Sequence, residues 1–562
     1  MIVFDPYSYL SFVTRARLPA LLETGFSFGP ILGLHTFNSG WFITVNSENS
    51  SRIGENHLHS NLHFARAHEE WPLKEAERPA KRSSYAERSL GRFFLLLLAL
   101  WIASLCWFVL RAYGQIAVHN QGYVPYSDAP INYRSENLSD PVATLQQELN
   151  QGKATLQYEP VHGYLKSVLK LLKVPTDSQT LVFSKTSFQY KKISPDHPRA
   201  LYFNDDVYVG SVHDGKAIEI VSFDPMQGAI FYLLDEHKVE RPTFQRAELD
   251  CTQCHIAAGT RGVPGVLLRS IYATPTGTQA ASTPSFITDQ ESPIKDRWGG
   301  WYVTGKLGNQ SHMGNAVVNN PQGDQPKTSE PDQAAVNKLA ALSSSFDRST
   351  YLIPDSDVVA HLVLAHQTQM HNLITLTNYK TRLALYAQAA KSKSGGLALD
   401  TPMSEDARQQ FERPAEQLLR YLLFANEAPL SASGSEQIEG SSTYARDFEA
   451  HGIRDSKGRS LRDFDLKNRI FRYPCSYLIY SASFDALPEP AKGYVYHRLL
   501  QVLTGQDQSA DFSKLSPEDR RAIFEILLAT KPGLPEEWKE YAKSNHMQIR
   551  LAVNRPHPSH QG

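Results

Sequence analysis

The chain is poor in cysteine and in net charge. It has four cysteines in 562 residues. Two of them lie in the motif described below and Cys106 lies in a long apolar run, so no pair is left for a structural disulfide. The cysteine count alone does not fix the compartment. Formal charges nearly cancel, to −1, which leaves neither a basic stripe for nucleic acid nor an acidic tail. We therefore expect no nucleic acid partner.

Common substrate-binding signatures are also missing. The chain contains no Walker loop and no GxGxxG after a strand, so nothing in it indicates a nucleotide-binding enzyme. Hydrophobic residues make up 41% and charged residues 20%, which is enough for two or three domains that each bury a core. The catalytic residues, if there are any, are unknown from the sequence.

One long apolar run is present near the N-terminus. Residues Phe93–Leu110 carry no charge and would form a helix about 27 Å long, just enough to span a bilayer. Basic residues precede this run, which predicts a cytoplasmic N-terminus and an exported remainder. Ala112-Tyr113-Gly114 has the form of a signal cleavage site. Residues 92–112 are thus either a membrane anchor, which their length favours, or a removed signal peptide.

The segment before this run, residues 1–91, is polar and has no sustained apolar period. It is typical of a disordered extension. Alternatively, translation starts downstream and the segment is not made. In either case, the expected location is the cell membrane, with a single pass and the main domain on the periplasmic side.

The central motif is Cys251-Thr-Gln-Cys254-His255. Two thiols with this spacing can add to the two vinyl groups of one haem, and the adjacent histidine then becomes the fifth iron ligand. A redox dithiol would require a βαβ setting, and a zinc site would require a second Cys/His pair nearby. Neither context is present, so we favour one covalently bound haem c over these two alternatives.

Gly262-Val263-Pro264-Gly265 follows the motif, and residues 246–318 resemble a class I c-type cytochrome. This resemblance implies that a proline carbonyl, here that of Pro264, accepts the proton of the ligating imidazole. It also implies a later methionine on the other face of the iron. Three segments outside the motif resemble an uncharacterised group of bacterial membrane-anchored proteins that have one cytochrome c motif. These segments are Leu201–Gly210, Arg297–Gly305 and Tyr473–Ser481.

The sixth iron ligand has two neighbouring candidates. Met313 would give a cytochrome of raised potential and His312 one of lower potential, and only one of the two can bind. The sixth site could also be open, or filled by His366 or His371. Four residues upstream could pack on the haem edge or bind its propionates: Arg297, Trp298, Trp301 and Tyr302.

The predicted fold class is α+β. Short β-branched and aromatic runs between residues 181 and 234 predict an antiparallel meander within an α+β domain at 136–245, next to the haem-binding segment at 246–320. Residues 336–545 are predicted to be mainly helical, with a long helix that begins at an N-cap near Ser356 and carries His361, His366 and His371. Within this region, Phe471–Ser481 is predicted to be β-like.

Three functions fit these features. The leading hypothesis is an exported, membrane-anchored cytochrome that transfers electrons to or from a redox protein partner. The second is a haem enzyme, peroxidase-like or oxygen-handling, with an open or histidine-guarded distal site. The third is a haem-based sensor or assembly subunit. Electron transfer ranks first because it requires only what the motif provides.

Overall fold

The computed structural model describes residues 33–37, 40–44, 101, 124–308, 310–318, 346–395, 403–430 and 437–547. Its architecture is α+β, as predicted, with an antiparallel sheet and several helices. The predicted membrane segment at 92–112, apart from Trp101, and most of the polar extension at 1–91 lie outside these ranges. Within the described ranges, no helix combines the length and the apolar character needed to cross a membrane.

A small antiparallel hairpin forms part of a first unit, Met1–Ala99. It consists of β1 (Gly33–Phe37) and β2 (Gly40–Thr44). The sequence patterns did not predict this hairpin.

The second unit is organised around a seven-stranded antiparallel sheet. Its strands are β3 (Thr180–Val182), β4 (Arg199–Phe203), β5 (Val207–Ser211), β6 (Ala217–Asp224), β7 (Gly228–Asp235), β8 (Gln245–Arg246) and β11 (Trp301–Tyr302). They lie in the order β11-β3-β4-β5-β6-β7-β8, so that β3 to β7 form the predicted meander. A separate two-stranded sheet is formed by β9 (Arg269–Ile271) and β10 (Ser285–Ile287).

Different helices pack on the two faces of the large sheet. One face packs on α1 (Pro141–Asn150) and α2 (Leu165–Leu171) through buried side chains such as Ile218 and Ile220. The opposite face packs on α3 (Glu248–His255) and α4 (Val358–Gly395). This second face contains the candidate site.

Helix α4 runs through the centre of the unit, and residues 358–379 are all buried. Its N-cap is Asp357, whose carboxylate accepts from the N–H of Val359 at 2.7 Å. The predicted N-cap was wrong because the Ser356 hydroxyl donates to the carbonyl of Tyr302 at 2.6 Å instead.

Six helices follow α4 among the described residues: α5 (Glu405–Leu422), α6 (Tyr444–Ala450), α7 (Ala482–Asp485), α8 (Glu489–Leu503), α9 (Pro517–Thr530) and α10 (Glu536–Ser544). The prediction of a β-like run at Phe471–Ser481 was wrong, since this segment forms no strand and contains an isolated bridge from Phe471 to Phe464 and a 3₁₀ turn, Tyr477–Tyr480. Its side chains pack on α4, where the Tyr477 hydroxyl donates to Gln367 at 2.6 Å. The aromatic content there reflects burial in the core and not pairing in a sheet.

Candidate functional site

The CxxCH motif lies on α3. Cys251 and Cys254 are three residues apart on this helix and therefore lie on one side of it. Cys251 is half-buried, Cys254 is exposed, and neither forms a disulfide. Burial, together with the negative charge of Glu219, raises the pKa of the Cys251 thiol to about 11. The motif thus presents two free thiols on one side of a helix that ends at His255.

His255 is held in one orientation by the loop that follows it. Its Nδ1–H donates to the carbonyl of Gly265 at 2.8 Å, and the N–H of Gly265 donates to the carbonyl of His255 at 3.1 Å. With the proton on Nδ1, the lone pair is on Nε2, which bonds to no described residue and is not sealed in the interior. Burial lowers the pKa of His255. A neutral imidazole with a free Nε2 lone pair is the form that binds iron.

The accepting carbonyl belongs to Gly265 and not to Pro264, so this expectation was off by one residue. The Pro264 carbonyl instead accepts from Ala229 on β7 at 3.4 Å. Asn372 of α4 explains the arrangement, because its side chain accepts from the N–H of Val266 at 3.1 Å and donates to the carbonyl of Val266 at 2.7 Å. A Cβ at position 265 would collide with this amide. Helix α4 therefore fixes the loop, and the loop fixes His255.

The sheet face beside α3 is only partly covered. We call this area the sheet bay; it consists of Arg199, Leu201, Glu219, Val221 and Leu233, all half-buried. Cross-strand pairing through Gly210 connects Leu201, Glu219 and Leu233, and Val221 lies two residues beyond Glu219 on the same face. The ring of Phe231, which pairs with Val221, lies 5.0 Å from the ring of His255.

One ion pair crosses the sheet bay. The Nη2 atom of Arg199 lies 2.5 Å from a carboxylate oxygen of Glu219, and the guanidinium passes over Gly210, where a Cβ would collide with it. The Glu219 carboxylate also accepts from the Ser187 hydroxyl and from the Gln189 amide. The Nε atom of Arg199 is buried and has no hydrogen-bond partner. The carboxylate is thus satisfied, whereas the guanidinium retains an unused donor.

The loop with the candidate sixth ligands, His312 and Met313, lies at another part of the sheet. The N–H of Asn315 donates to the carbonyl of Trp301 at 2.9 Å, which fixes this loop beside β11. In contrast, α3 packs on β7, which is five strands away from β11 in the sheet.

Helix α4 gives a measure of the separation. His312 packs on Trp298, with 5.4 Å between ring centroids, and Trp298 packs on His361 of α4 at 5.9 Å. The loop that holds His255 is bound by Asn372, further along the same helix. Between residues 361 and 372 the helix axis advances by roughly 16 Å. The structure therefore does not bring His312 or Met313 together with His255.

The local bonding of these two side chains agrees with that separation. The Nδ1 of His312 accepts from the N–H of Gly314 at 3.0 Å, which places the proton on Nε2 and leaves no lone pair there for iron. Burial lowers the pKa of His312 to about 4. The sulfur of Met313 lies 3.6 Å from the Ser270 hydroxyl. In this conformation, both side chains are part of the core beside β11.

The upstream residues expected at the haem are Arg297, Trp298, Trp301 and Tyr302, and all four are buried around the start of α4. The Arg297 guanidinium donates to the carbonyls of Ser292 and Gln290, at 2.8 and 3.1 Å. The indole N–H of Trp301 and the hydroxyl of Tyr302 also donate to backbone carbonyls. In this structure they hold loops together and do not face His255.

The three histidines of α4 are likewise structural. His366 uses both nitrogens, with Gln290 at 2.5 Å from Nδ1 and Ser476 at 2.7 Å from Nε2. The Nδ1 atom of His371 lies 3.2 Å from the Tyr208 hydroxyl oxygen, and the Nε2 atom of His361 lies 2.9 Å from the carbonyl oxygen of Tyr302. Burial lowers the pKa of each of the three to about 3.

No family model matches the chain, and the curated proteins and the solved structures contain no match to it either. A function can therefore be inferred only from the geometry of the site.

Two further observations limit the kind of site. Among the described residues, no group of three or more His, Cys, Asp or Glu side chains could hold a metal ion. Cavities of about 240, 460 and 1160 Å³ lie elsewhere, and the CxxCH side chains line none of these three. Because Cys254 is exposed, a group bound by the motif would be at least partly at the surface.

Sequence reasoning missed two residues that position His255, Gly265 and Asn372. It also missed the ion pair of the sheet bay, Arg199 and Glu219. The glycine had a signal, because it belongs to the Gly/Pro turn after the motif. The ion pair and the asparagine had none, since their roles depend on strand pairing and on helix packing.

Proposed function

We propose that the protein is a single-haem c-type cytochrome that transfers electrons. The observation that carries the proposal is the state of His255, which has Nδ1 hydrogen-bonded to Gly265 and a free Nε2 lone pair. It lies on the helix that presents the free thiols of Cys251 and Cys254. A haem c needs this combination of two thiols and one oriented imidazole.

The residues present fit a haem in their chemistry. Each thiol of Cys251 and Cys254 would add across one vinyl double bond, with the sulfur on one carbon and the proton on the other. His255 would donate its Nε2 lone pair to iron, while the Gly265 carbonyl holds the Nδ1 proton and would so increase the basicity of the ligand. When bound, the haem supplies a one-electron iron couple. Asn372 keeps the Gly265 loop in place.

We further propose that the protein is exported and anchored in the cell membrane by residues 92–112, with its main domain in the periplasm. The apolar run and the preceding basic residues support this, and covalent haem attachment in bacteria is also an extracytoplasmic process. The expected partner is a redox protein. Alkaline phosphatase fused after Gly114 should be active, and inactive when fused before Arg92; the reverse result would contradict export.

A second function, a haem enzyme, is favoured by one observation. The loop of His312 and Met313 packs near the start of α4, whereas the loop that holds His255 is bound by Asn372 further along that helix, so neither of these two residues would supply the sixth ligand in this arrangement. An open position could bind peroxide or oxygen. An open iron can still exchange electrons through the haem edge, so only turnover distinguishes the enzyme from the carrier.

The test of the proposal is covalent attachment. Protein from a host with cytochrome c maturation should keep its haem through acid-acetone extraction, because thioether bonds survive conditions that break the bond from iron to histidine. The double variant Cys251→Ala/Cys254→Ala should lose it. Cys475→Ala is the matched control, since Cys475 is wholly buried and burial raises the pKa of its thiol. Loss of haem from the unmodified protein, or retention in the double variant, would contradict the proposal.

A further inference from the structure

We infer that the haem lies against the sheet bay and that Arg199 binds one of its propionates. The inference rests on the proposed function, because it assigns residues to the haem that the motif would hold. It goes beyond the motif by placing the cofactor on the face of a β-sheet and by exchanging the expected arginine, Arg297, for another.

The position of α3 supports this placement. The ring of His255 lies 5.0 Å from the ring of Phe231 on β7. Cys251 packs against the same hydrophobic cluster as the bay residues Leu201 and Val221. The thiols and the iron ligand therefore lie at the edge of the bay, and a group bound to all three would extend over it.

The bay is wide enough for a haem and exposes apolar side chains. From β4 to β7 the sheet is about 14 Å wide, at 4.8 Å per strand. Leu201, Val221 and Leu233 are only half-buried there, whereas their sequence neighbours on the other face, such as Ile220 and Leu234, are buried. An apolar macrocycle laid on this surface would remove the remaining apolar area from water, which is favourable.

Arg199 supplies the polar contact. Its Nη2 is engaged by Glu219 and its Nε is buried over Gly210, whereas its Nη1 bonds to no described residue and is not sealed in the interior. A carboxylate is the best acceptor for a guanidinium, so a propionate above the bay could bind this accessible nitrogen. Arg297 also keeps an unpartnered Nη1, but it is fully buried beside β11 and holds two loop carbonyls. The geometry therefore favours Arg199.

The first experiment measures whether the haem protects the bay from a thiol-alkylating reagent. Val221→Cys introduces a thiol on the bay, and Leu528→Cys introduces one at a half-buried position on α9 as a matched control. Alkylation of each is compared between haem-loaded protein and a Cys251→Ala/Cys254→Ala background. We expect the Val221→Cys thiol to react about tenfold more slowly when haem is present, because access controls thiol reactivity. The control should react equally in both.

The second experiment measures charge. Arg199→Met removes a cation whose side chain is 16% exposed, and Arg459→Met removes one that is 18% exposed and also ion-paired, in the C-terminal region. If Arg199 lies beside the haem, its loss favours ferric iron and shifts the midpoint potential to a lower value. The Arg459 variant should keep the potential of the unmodified protein.

The outcomes distinguish failure of the proposed function from failure of the sheet-bay placement. Unmodified protein without covalent haem would overturn both the proposed function and this inference. Covalent haem with equal alkylation of Val221→Cys in both backgrounds would overturn the bay alone. The same holds if the Leu528→Cys control is protected to the same degree. Protection at position 221 with an unchanged potential in Arg199→Met would overturn only the role of Arg199.

Discussion

The histidine of α3 and the histidines of α4 lie on the same face of the sheet, but their environments differ. His255 is half-buried and has one nitrogen bonded to a backbone carbonyl and the other free. His366 is fully buried, and its two nitrogens bond to Gln290 and Ser476. His255 is therefore available as a ligand, because a backbone carbonyl holds its Nδ1 and its Nε2 is unbonded and not sealed in the interior, whereas neither nitrogen of His366 is free.

The two sets of histidines also depend on different conditions. A buried neutral imidazole depends on staying unprotonated, so the α4 histidines link folding to pH. His255 depends instead on a loop, because Gly265 and Asn372 determine its orientation. Acid should therefore act on the α4 region first, and changes in the loop should act on His255.

The largest expected effect is a loss of stability in acid. The pKa of each α4 histidine is lowered to about 3 in the folded protein, while the unfolded chain binds protons near pH 6.5. The unfolded state thus binds more protons below pH 6.5, and the free energy of unfolding falls as pH decreases from 6.5 towards 3. Each histidine lowers the free energy of unfolding by up to about 1.4 kcal/mol per pH unit, and the three together by about 4 kcal/mol per pH unit.

Denaturant unfolding at several pH values between 6.5 and 5 measures this slope. His366→Gln should reduce it by the contribution of one histidine, up to about 1.4 kcal/mol per pH unit, whereas His197→Gln, at an exposed position, should leave it unchanged. An equal slope in His366→Gln and in the unmodified protein would show that His366 binds a proton in the folded state.

The next effect concerns the loop that holds His255. Gly265→Ala puts a methyl group against the Asn372 amide, and overpacking of this kind costs about 1–3 kcal/mol. We expect a lower melting temperature together with a changed reduction potential, because the Nδ1 hydrogen bond of His255 is disturbed.

Pro264→Ala is the neighbouring control. The Pro264 carbonyl bonds to β7 and not to His255, so its replacement should leave the reduction potential unchanged. If Pro264→Ala shifted the potential and Gly265→Ala did not, the assignment of the accepting carbonyl would be reversed.

Local patterns were sufficient for most of the elements but not for the site. The alternation and turn residues between 181 and 234 predicted the meander, and the long helix predicted from near Ser356 is α4, which begins at Val358. In contrast, the apolar aromatic run Phe471–Ser481 has the same composition whether it pairs in a sheet or packs on a helix. The distinction depends on tertiary contacts.

The site itself was predictable only where the chemistry is local in sequence. Cys251, Cys254 and His255 follow from their spacing. The partners Arg199 and Glu219 come from β4 and β6, and nothing in either strand indicates that they meet over Gly210. His312 and Met313 were attractive because they follow the motif closely in sequence, but nearness in sequence did not become nearness in space.

The smallest effect is expected from variants of the candidate ligands for the sixth coordination position of the haem iron. With His312 protonated on Nε2 and Met313 packed on Ser270, neither side chain is available to iron. His312→Ala and Met313→Leu should therefore leave the visible spectrum of the haem-loaded protein unchanged, and the unmodified protein should bind cyanide readily.

The opposite result would identify a ligand and require the loop beside β11 to move. A charge-transfer band typical of methionine-bound ferric haem, lost in Met313→Leu, would assign Met313. A low-spin spectrum that becomes high-spin in His312→Ala would assign His312, with its proton moved to Nδ1. Either finding would also favour the electron carrier, because a filled sixth position leaves no place for peroxide or oxygen. If the position is open, turnover with peroxide becomes the deciding measurement between the carrier and the enzyme.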